Sequence, residues 1–228
     1  MKSAVELDSL SKTYFSRWMR FQIRALQDIS LQILPETLTI FHGPNGSGKS
    51  TILKILATLT RPTSGKAFIF GVNVARNPRQ VRVLTGFLPE NLFPPSDVTA
   101  SEYLKLLGRL RNVTDNLSIR VDELLQKVRL LRWRDVPVQL FSSGMQQRLG
   151  FAQAMVSDPD LYLLDEPLSS LDASGRDLVL EELQILREKG KTIIISTHRD
   201  EFLRNIADNF VLLENGRLVE NKCIARGQ

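Results

Sequence analysis

Between residues 43 and 51 the chain reads Gly43-Pro44-Asn45-Gly46-Ser47-Gly48-Lys49-Ser50-Thr51, a run of the form G-x-x-x-x-G-K-[ST]. An apolar and β-branched stretch at residues 37–41 leads into it, and Ile52, Leu53, Leu56 and Leu59 follow at helical spacing. Strand, glycine loop and helix therefore come in that order. Glycines let the backbone curl so that its N–H groups point inward at phosphate oxygens, and the start of the next helix adds a positive end. Lys49 supplies a mobile positive charge for the β- and γ-phosphates, and the Ser50 hydroxyl suits Mg²⁺, a hard cation that prefers oxygen ligands. Four constrained positions would match by chance in roughly one chain in a hundred. A loop of this kind, in this order of elements, binds a nucleoside triphosphate.

A second run completes the chemistry. Residues 161–164 are apolar and end in Asp165 and Glu166. Successive side chains on a strand point opposite ways, so two adjacent carboxylates at a strand end can take different tasks. The expected division has Asp165 in the Mg²⁺ shell and Glu166 polarising the attacking water. Alone, an Asp-Glu pair at a strand end reads as a solvated helix cap. The phosphate loop is what changes that reading.

The remaining pattern is that of an α/β chain. Residues 5–10 and 29–33 alternate apolar and polar and predict two half-buried antiparallel strands, and residues 67–70, closed by Gly71, predict another. From about residue 93 to 154 the apolar period is helical. Thr99 and Glu102 form a capping box ahead of Tyr103, Leu104, Leu106 and Leu107, and Val121, Leu124, Leu125 and Val128 mark a second helix. Residues 161–164 and 192–196 suit parallel strands buried on both faces, joined by a helix at about 174–189. Asn215-Gly216 between two apolar runs predicts a hairpin.

Composition narrows the class further. The 228 residues are 43% hydrophobic and 24% charged, ordinary globular values that exclude collagen-like, coiled-coil and disordered chains. Cys223 is a single cysteine, so an internal disulfide is impossible, and with two histidines it cannot build a four-ligand zinc site. No stretch approaches the ~18 apolar residues of a membrane-spanning helix. Residues 1–10, with Glu6 and Asp8, lack the apolar centre of a secretory signal, and the expectation is a chain that stays in the cytosol. The net charge of +5 falls in residues 76–134, where eleven Lys and Arg face six Asp and Glu. That segment reads either as a solvated helical surface or as a face toward acidic lipid headgroups or a partner.

Five motifs together resemble the nucleotide-binding subunit of an ATP-binding cassette (ABC) transporter. They are residues 43–51, Phe141-Ser142-Ser143-Gly144-Met145, residues 161–167, Ser169-Ser170-Leu171-Asp172 and Ser196-Thr197-His198, in the family's order and spacing. The resemblance implies a P-loop NTPase core with a mainly parallel sheet, an N-terminal antiparallel β-subdomain and an inserted α-helical subdomain. Residues 1–228 then form a single ATP-binding domain, with the core at about 1–89 and 156–228 and the helices at about 90–155.

The resemblance also implies roles. ATP and Mg²⁺ are the expected cofactors, and two cassettes, identical or not, clamp two ATP head to tail. Ser142 and Gly144 belong to the signature that meets the partner's γ-phosphate, although Ser143 and Met145 depart from the usual Leu-Ser-Gly-Gly-Gln. Ser142 would in any case cap a helix from about 144 to 155. His198 contacts the γ-phosphate and orients Glu166, and Asp172 makes a dimer contact. Tyr14 matches the aromatic that stacks on adenine, with Phe15 and Trp18 nearby and a core role as the alternative. Glu90 stands where most members carry Gln; its oxygens can ligate Mg²⁺ but add negative charge near the γ-phosphate. Glu90 and the single-cassette length resemble exporter-type members of the ABC-2 group, which work on separate permeases. Residues 91–98 would form either a docking loop for such a permease or a plain surface loop. The implied function is an ATP-hydrolysing subunit at the cytoplasmic face of the membrane, peripheral to it, with no nucleic acid expected. The alternative is a soluble cassette acting on nucleic acid or ribosomes, whose usual second cassette, coiled coil or zinc cysteines have no counterpart here.

Overall fold

The computed structural model describes residues 3–15, 21–92, 94–95, 97–198 and 201–223. Among them the order is β1 (Val5–Phe15), β2 (Gln22–Ile33), β3 (Leu38–His42), α1 (Lys49–Leu56), β4 (Ser64–Ile69), β5 (Val72–Asn73), α2 (Pro78–Leu84), β6 (Thr85–Leu88), α3 (Ala100–Leu110) and α4 (Leu117–Lys127). There follow α5 (Ser143–Met155), β7 (Leu161–Asp165), α6 (Ala173–Glu188), β8 (Thr192–Thr197), β9 (Asn209–Glu214) and β10 (Arg217–Cys223).

Two sheets result. One is antiparallel, in the order β2-β1-β4-β5, and the other runs β10-β9-β3-β8-β7-β6. In the second, every neighbouring pair is parallel except β10 with β9. Its inner strands β3, β8 and β7, with β6, are buried almost throughout without alternation because both faces are covered, whereas β10 is largely exposed. Along β7, Leu161 and Leu163 join one buried cluster with α1 and the antiparallel sheet, while Tyr162 and Leu164 join another with α3 to α6. Truncating one such side chain, as in Leu163→Ala, is expected to cost about 2–5 kcal/mol.

The first two strands are longer than the apolar alternation predicts. In β1 the inward residues are Val5 and Leu7 and then Leu10, a change of parity at Ser9, which has φ 48. The ladder to β2 is irregular there, between Leu7 and Leu10 and again before Thr13. A bulge thus re-aims the strand, and the exposed arm beyond it is held by its ladder rather than by burial. The short β5, α2 and β6 were not expected as elements; four residues such as Thr85–Leu88 are too few to show a period.

The helical stretch begins as predicted. Thr99 accepts from the Glu102 N–H while Glu102 reaches back to the Thr99 N–H at 2.9 Å, a complete capping box. Helix α5 is buried on nearly all sides, and Ala152 and Met155 share a cluster with Tyr162, Ile193 and Ile195 of the core sheet. In the 91–98 segment, Leu92 and Val98 pack against this same cluster, and Phe93 lies outside the described residues, as does Trp18.

This topology decides where chemistry can occur. β3, β8 and β7 are adjacent and parallel, so the segments after them, carrying the phosphate loop, His198 and Glu166, emerge along one edge of the sheet. Ligands of open parallel sheets bind outside such carboxyl ends.

Candidate active site

The phosphate loop is held from two sides. Gly43 has φ 148, and a Cβ there would fall 2.0 Å from the Leu213 carbonyl oxygen; Gly48 has φ 106, and a Cβ there would lie 2.7 Å from the Ala25 carbonyl oxygen. Only glycine allows this approach together with this backbone conformation. The β9–β10 turn presses on the same loop. Asn215 and Gly216 both have positive φ, as a two-residue type I′ turn requires. The Gly216 N–H donates to the Ser47 carbonyl at 3.1 Å, and the Gln27 N–H donates to the Gly216 carbonyl at 2.7 Å.

Helix α1 starts directly from this loop. Its N-cap is Gly48, no side chain caps it, and its first turn carries no acidic residue. The first N–H groups and the positive helix end therefore face the cleft. Lys49 is 5% exposed and turns its ammonium onto the Gly43 and Pro44 carbonyls, at 2.7 and 3.1 Å. Burial lowers its pKa, and Glu166, Asp165 and Glu90 oppose that shift. Three carboxylates are thus electrostatically coupled to this one ammonium.

Asp165 lies beneath the loop and is fully buried. Its Oδ1 accepts from the Ser50 hydroxyl at 2.8 Å and from the Ser196 hydroxyl in a short hydrogen bond. Its Oδ2 is buried with no hydrogen-bond partner. Burial raises the Asp165 pKa, against the two serine hydrogen bonds and Lys54. An uncompensated buried carboxylate oxygen is costly. A divalent cation beside it and the Ser50 hydroxyl would remove that cost, so these residues fit Mg²⁺. No group of three or more His, Cys, Asp or Glu side chains able to hold a metal occurs among the described residues. Mg²⁺ is commonly held by one or two carboxylates together with water and substrate phosphates.

Glu166 follows at a break in the strand. Its backbone is left-handed, φ 50, with the N–H donating to the Ser196 carbonyl at 3.0 Å. Its carboxylate accepts from the Thr197 hydroxyl at 3.2 Å and the His198 N–H at 2.9 Å, and His198 Nδ1 sits 2.9 Å from the same Oε1. His198 therefore acts here on Glu166 itself, from an exposed position at the end of β8.

Tyr14, Lys49, Ser50, Glu90 and Glu166 line one cleft of about 440 Å³ with loop residues 45–48 and Thr51. Ile23, Arg24 and Ala25 line it too and were not anticipated. Tyr14 faces Ile23 and Thr13 faces Arg24 across the β1–β2 ladder, a register that no motif announces. Ser142, Gly144 and Asp172 are not brought to this cleft. Ser142 is exposed and caps α5 by accepting from the Met145 N–H at 3.3 Å, while Asp172 caps α6 by accepting from the Gly175 N–H at 2.8 Å. The first helical residue is Ser143, one before the predicted start.

Comparison with known proteins decides the family. The profile described as ABC transporter matches residues 26–169. The chain belongs to the ABC transporter family. Its cassette is 34% identical over 231 residues to an uncharacterized ABC transporter ATP-binding protein, YcbN, of Bacillus subtilis, covering 100% of this chain and 73% of that one. It is 34% identical over 197 residues to the Nod factor export ATP-binding protein I of Cupriavidus metallidurans, covering 85% and 64%. The cassette thus spans about two thirds of the length of these relatives. Among solved structures it superposes with a TM-score of 0.89 and 26% identity on the ATP-binding cassette MJ0796, a dimer in a post-hydrolysis state bound to ADP and Pi, over 97% of this chain and 99% of that one. The fold is that of an ABC ATPase cassette.

Proposed function

We propose that this cassette binds and hydrolyses ATP and, paired head to tail with a second ATP-binding subunit, drives a separate membrane permease from the cytoplasmic face. The observation that carries the reading is the convergence on one cleft of an uncapped helix start, Lys49, Ser50 and Glu166, with buried Asp165 hydrogen-bonded to Ser50 behind it. In this reading the backbone N–H groups of residues 43–51 and the Lys49 ammonium leave the loop carbonyls for the phosphates. Tyr14 stacks on adenine. Ser50, Asp165 and Glu90 would hold Mg²⁺, which when bound neutralises charge on the β- and γ-phosphates. Glu166 takes a proton from the attacking water, and His198 keeps its carboxylate oriented and meets the γ-phosphate.

Ser142 and Gly144 at the start of α5, and Asp172 after Glu166, lie outside their own cleft and act on that of the partner. A dimer closed by ATP and reopened by hydrolysis then transmits motion to the permease. The Nod factor export relative supports an exporter of the ABC-2 group. The test is Mg²⁺-dependent ATP hydrolysis against protein concentration. Specific activity rising with concentration is expected; tight ATP binding without turnover at any concentration, with or without membranes carrying a permease, would contradict the reading.

A further inference from the structure

Glu166 is held by more than its carboxylate. A left-handed backbone at a residue other than glycine costs on the order of 1 kcal/mol and persists only where surrounding contacts enforce it. The Glu166 carbonyl accepts from the Ser169 N–H at 3.1 Å and from the side-chain amide of Gln147, whose Nε2 lies 2.9 Å away. Gln147 is only 7% exposed. It stands in the second turn of α5, the helix that Ser142 caps.

Two other contacts show that α5 is fixed to the same strand ends. Gln153 donates through Nε2 to the Phe87 carbonyl on β6 at 3.0 Å and accepts from the Tyr103 hydroxyl of α3 at 2.5 Å. At the helix start, a Cβ on Gly144 would stand 3.1 Å from the Ser170 carbonyl oxygen, so helix and loop are in close contact. The signature helix is therefore tied at its start, in its second turn and further along to the segments bearing Glu166 and Glu90.

We propose that Gln147 is a positioning residue: it locks the Glu166 peptide in its left-handed conformation and so couples the placement of the signature helix to the orientation of the base. This deepens the proposed function and rests on Glu166 being the base. Without the amide donor, the Glu166 peptide rotates toward an ordinary extended conformation, and its carboxylate leaves Thr197 and His198. Gln147 lies outside the lining of the phosphate cleft.

The test compares Gln147→Leu and Gln147→Lys with the wild-type protein, measuring kcat, KM for Mg²⁺-ATP, Tm and hydrogen exchange of the Ser169 amide. Gln147→Leu is expected to lower kcat about 10-fold, to leave KM within about 2-fold, and to speed exchange at Ser169 while Tm changes little. Gln147→Lys keeps a donor at similar reach and is expected to recover kcat to within about 3-fold. A kcat for Gln147→Leu within 2-fold of wild type would overturn the proposal. So would parallel losses of kcat, nucleotide affinity and Tm that the lysine variant does not repair, because those mark a packing role. Absence of turnover in the wild-type protein would contradict the parent reading instead; Ser169 exchange then decides the positioning claim alone, faster exchange in Gln147→Leu upholding it and unchanged exchange overturning it.

Discussion

The cleft at the phosphate loop and the start of helix α5 are both helix N-termini, yet they are built differently. α1 begins from Gly48 with no side-chain cap, and Lys49, Ser50, Thr51 and Glu166 line one cavity beside it. α5 begins from Ser142, which satisfies its own helix by accepting from the Met145 N–H, and it faces solvent. The first end has no side-chain cap and opens on the cleft, where the proposed function places the phosphates. The second is stable alone and offers its hydroxyl and positive end outward. On the proposed reading, the difference means that one chain supplies its own nucleotide cradle and offers a second helix end to a partner.

The sharpest break in that comparison is removal of the base. Glu166→Gln keeps the size and the acceptor oxygen but cannot take a proton, so turnover is expected to fall by about 10²–10⁴-fold while ATP binding persists. Steady hydrolysis in that variant would take Glu166 out of the role. Next comes the other helix end. Ser142→Arg places a bulky cation there and is expected to lower turnover roughly 100-fold without changing nucleotide affinity of the monomer; full activity would show that α5 has only a structural part. Lys49→Ala acts on the cradle itself. It removes a charged contact worth about 3 kcal/mol, so ATP affinity measured by titration should drop about 100-fold, and unchanged binding would contradict the assignment.

The smallest effect concerns stability. Burial raises the Asp165 pKa, so this group favours the folded state below its unfolded pKa and loses that contribution as pH rises through the folded value. Asp165→Asn removes this loss. Its Tm without ligand at pH 8 should equal or exceed that of the wild type, whereas the extra stabilisation that Mg²⁺ adds to ATP should be confined to the wild type. A lower Tm with the Mg²⁺ effect intact would place the cation elsewhere.

The two regions also differed in how far the sequence disclosed them. The cradle is written in consecutive residues, because a curled loop must come from one stretch of chain, so Gly43 to Thr51 and the Asp165-Glu166 pair were legible directly. The capping box at Thr99 and the Asn215-Gly216 turn were legible for the same reason: local hydrogen bonding selects local residue types. What joins distant segments was not legible. Arg24 reaches the cleft only through the β1–β2 register, and the parity change at Ser9 hides that register from any alternating pattern. Gln147 meets Glu166 because α5 packs beneath β6 and β7, and a glutamine in a helix carries no sign of a buried partner. Strand β6 is too short to show periodicity, although all four of its residues are buried.

The central claim is that two such half-clamps complete each other. It is tested most directly by sedimentation of Glu166→Gln in Mg²⁺-ATP, in Mg²⁺-ADP, and in Mg²⁺-ATP with Ser142→Arg added. A doubling of mass with ATP alone, abolished by the arginine, is the predicted result. A monomer that binds ATP yet never pairs, at any concentration, would contradict it.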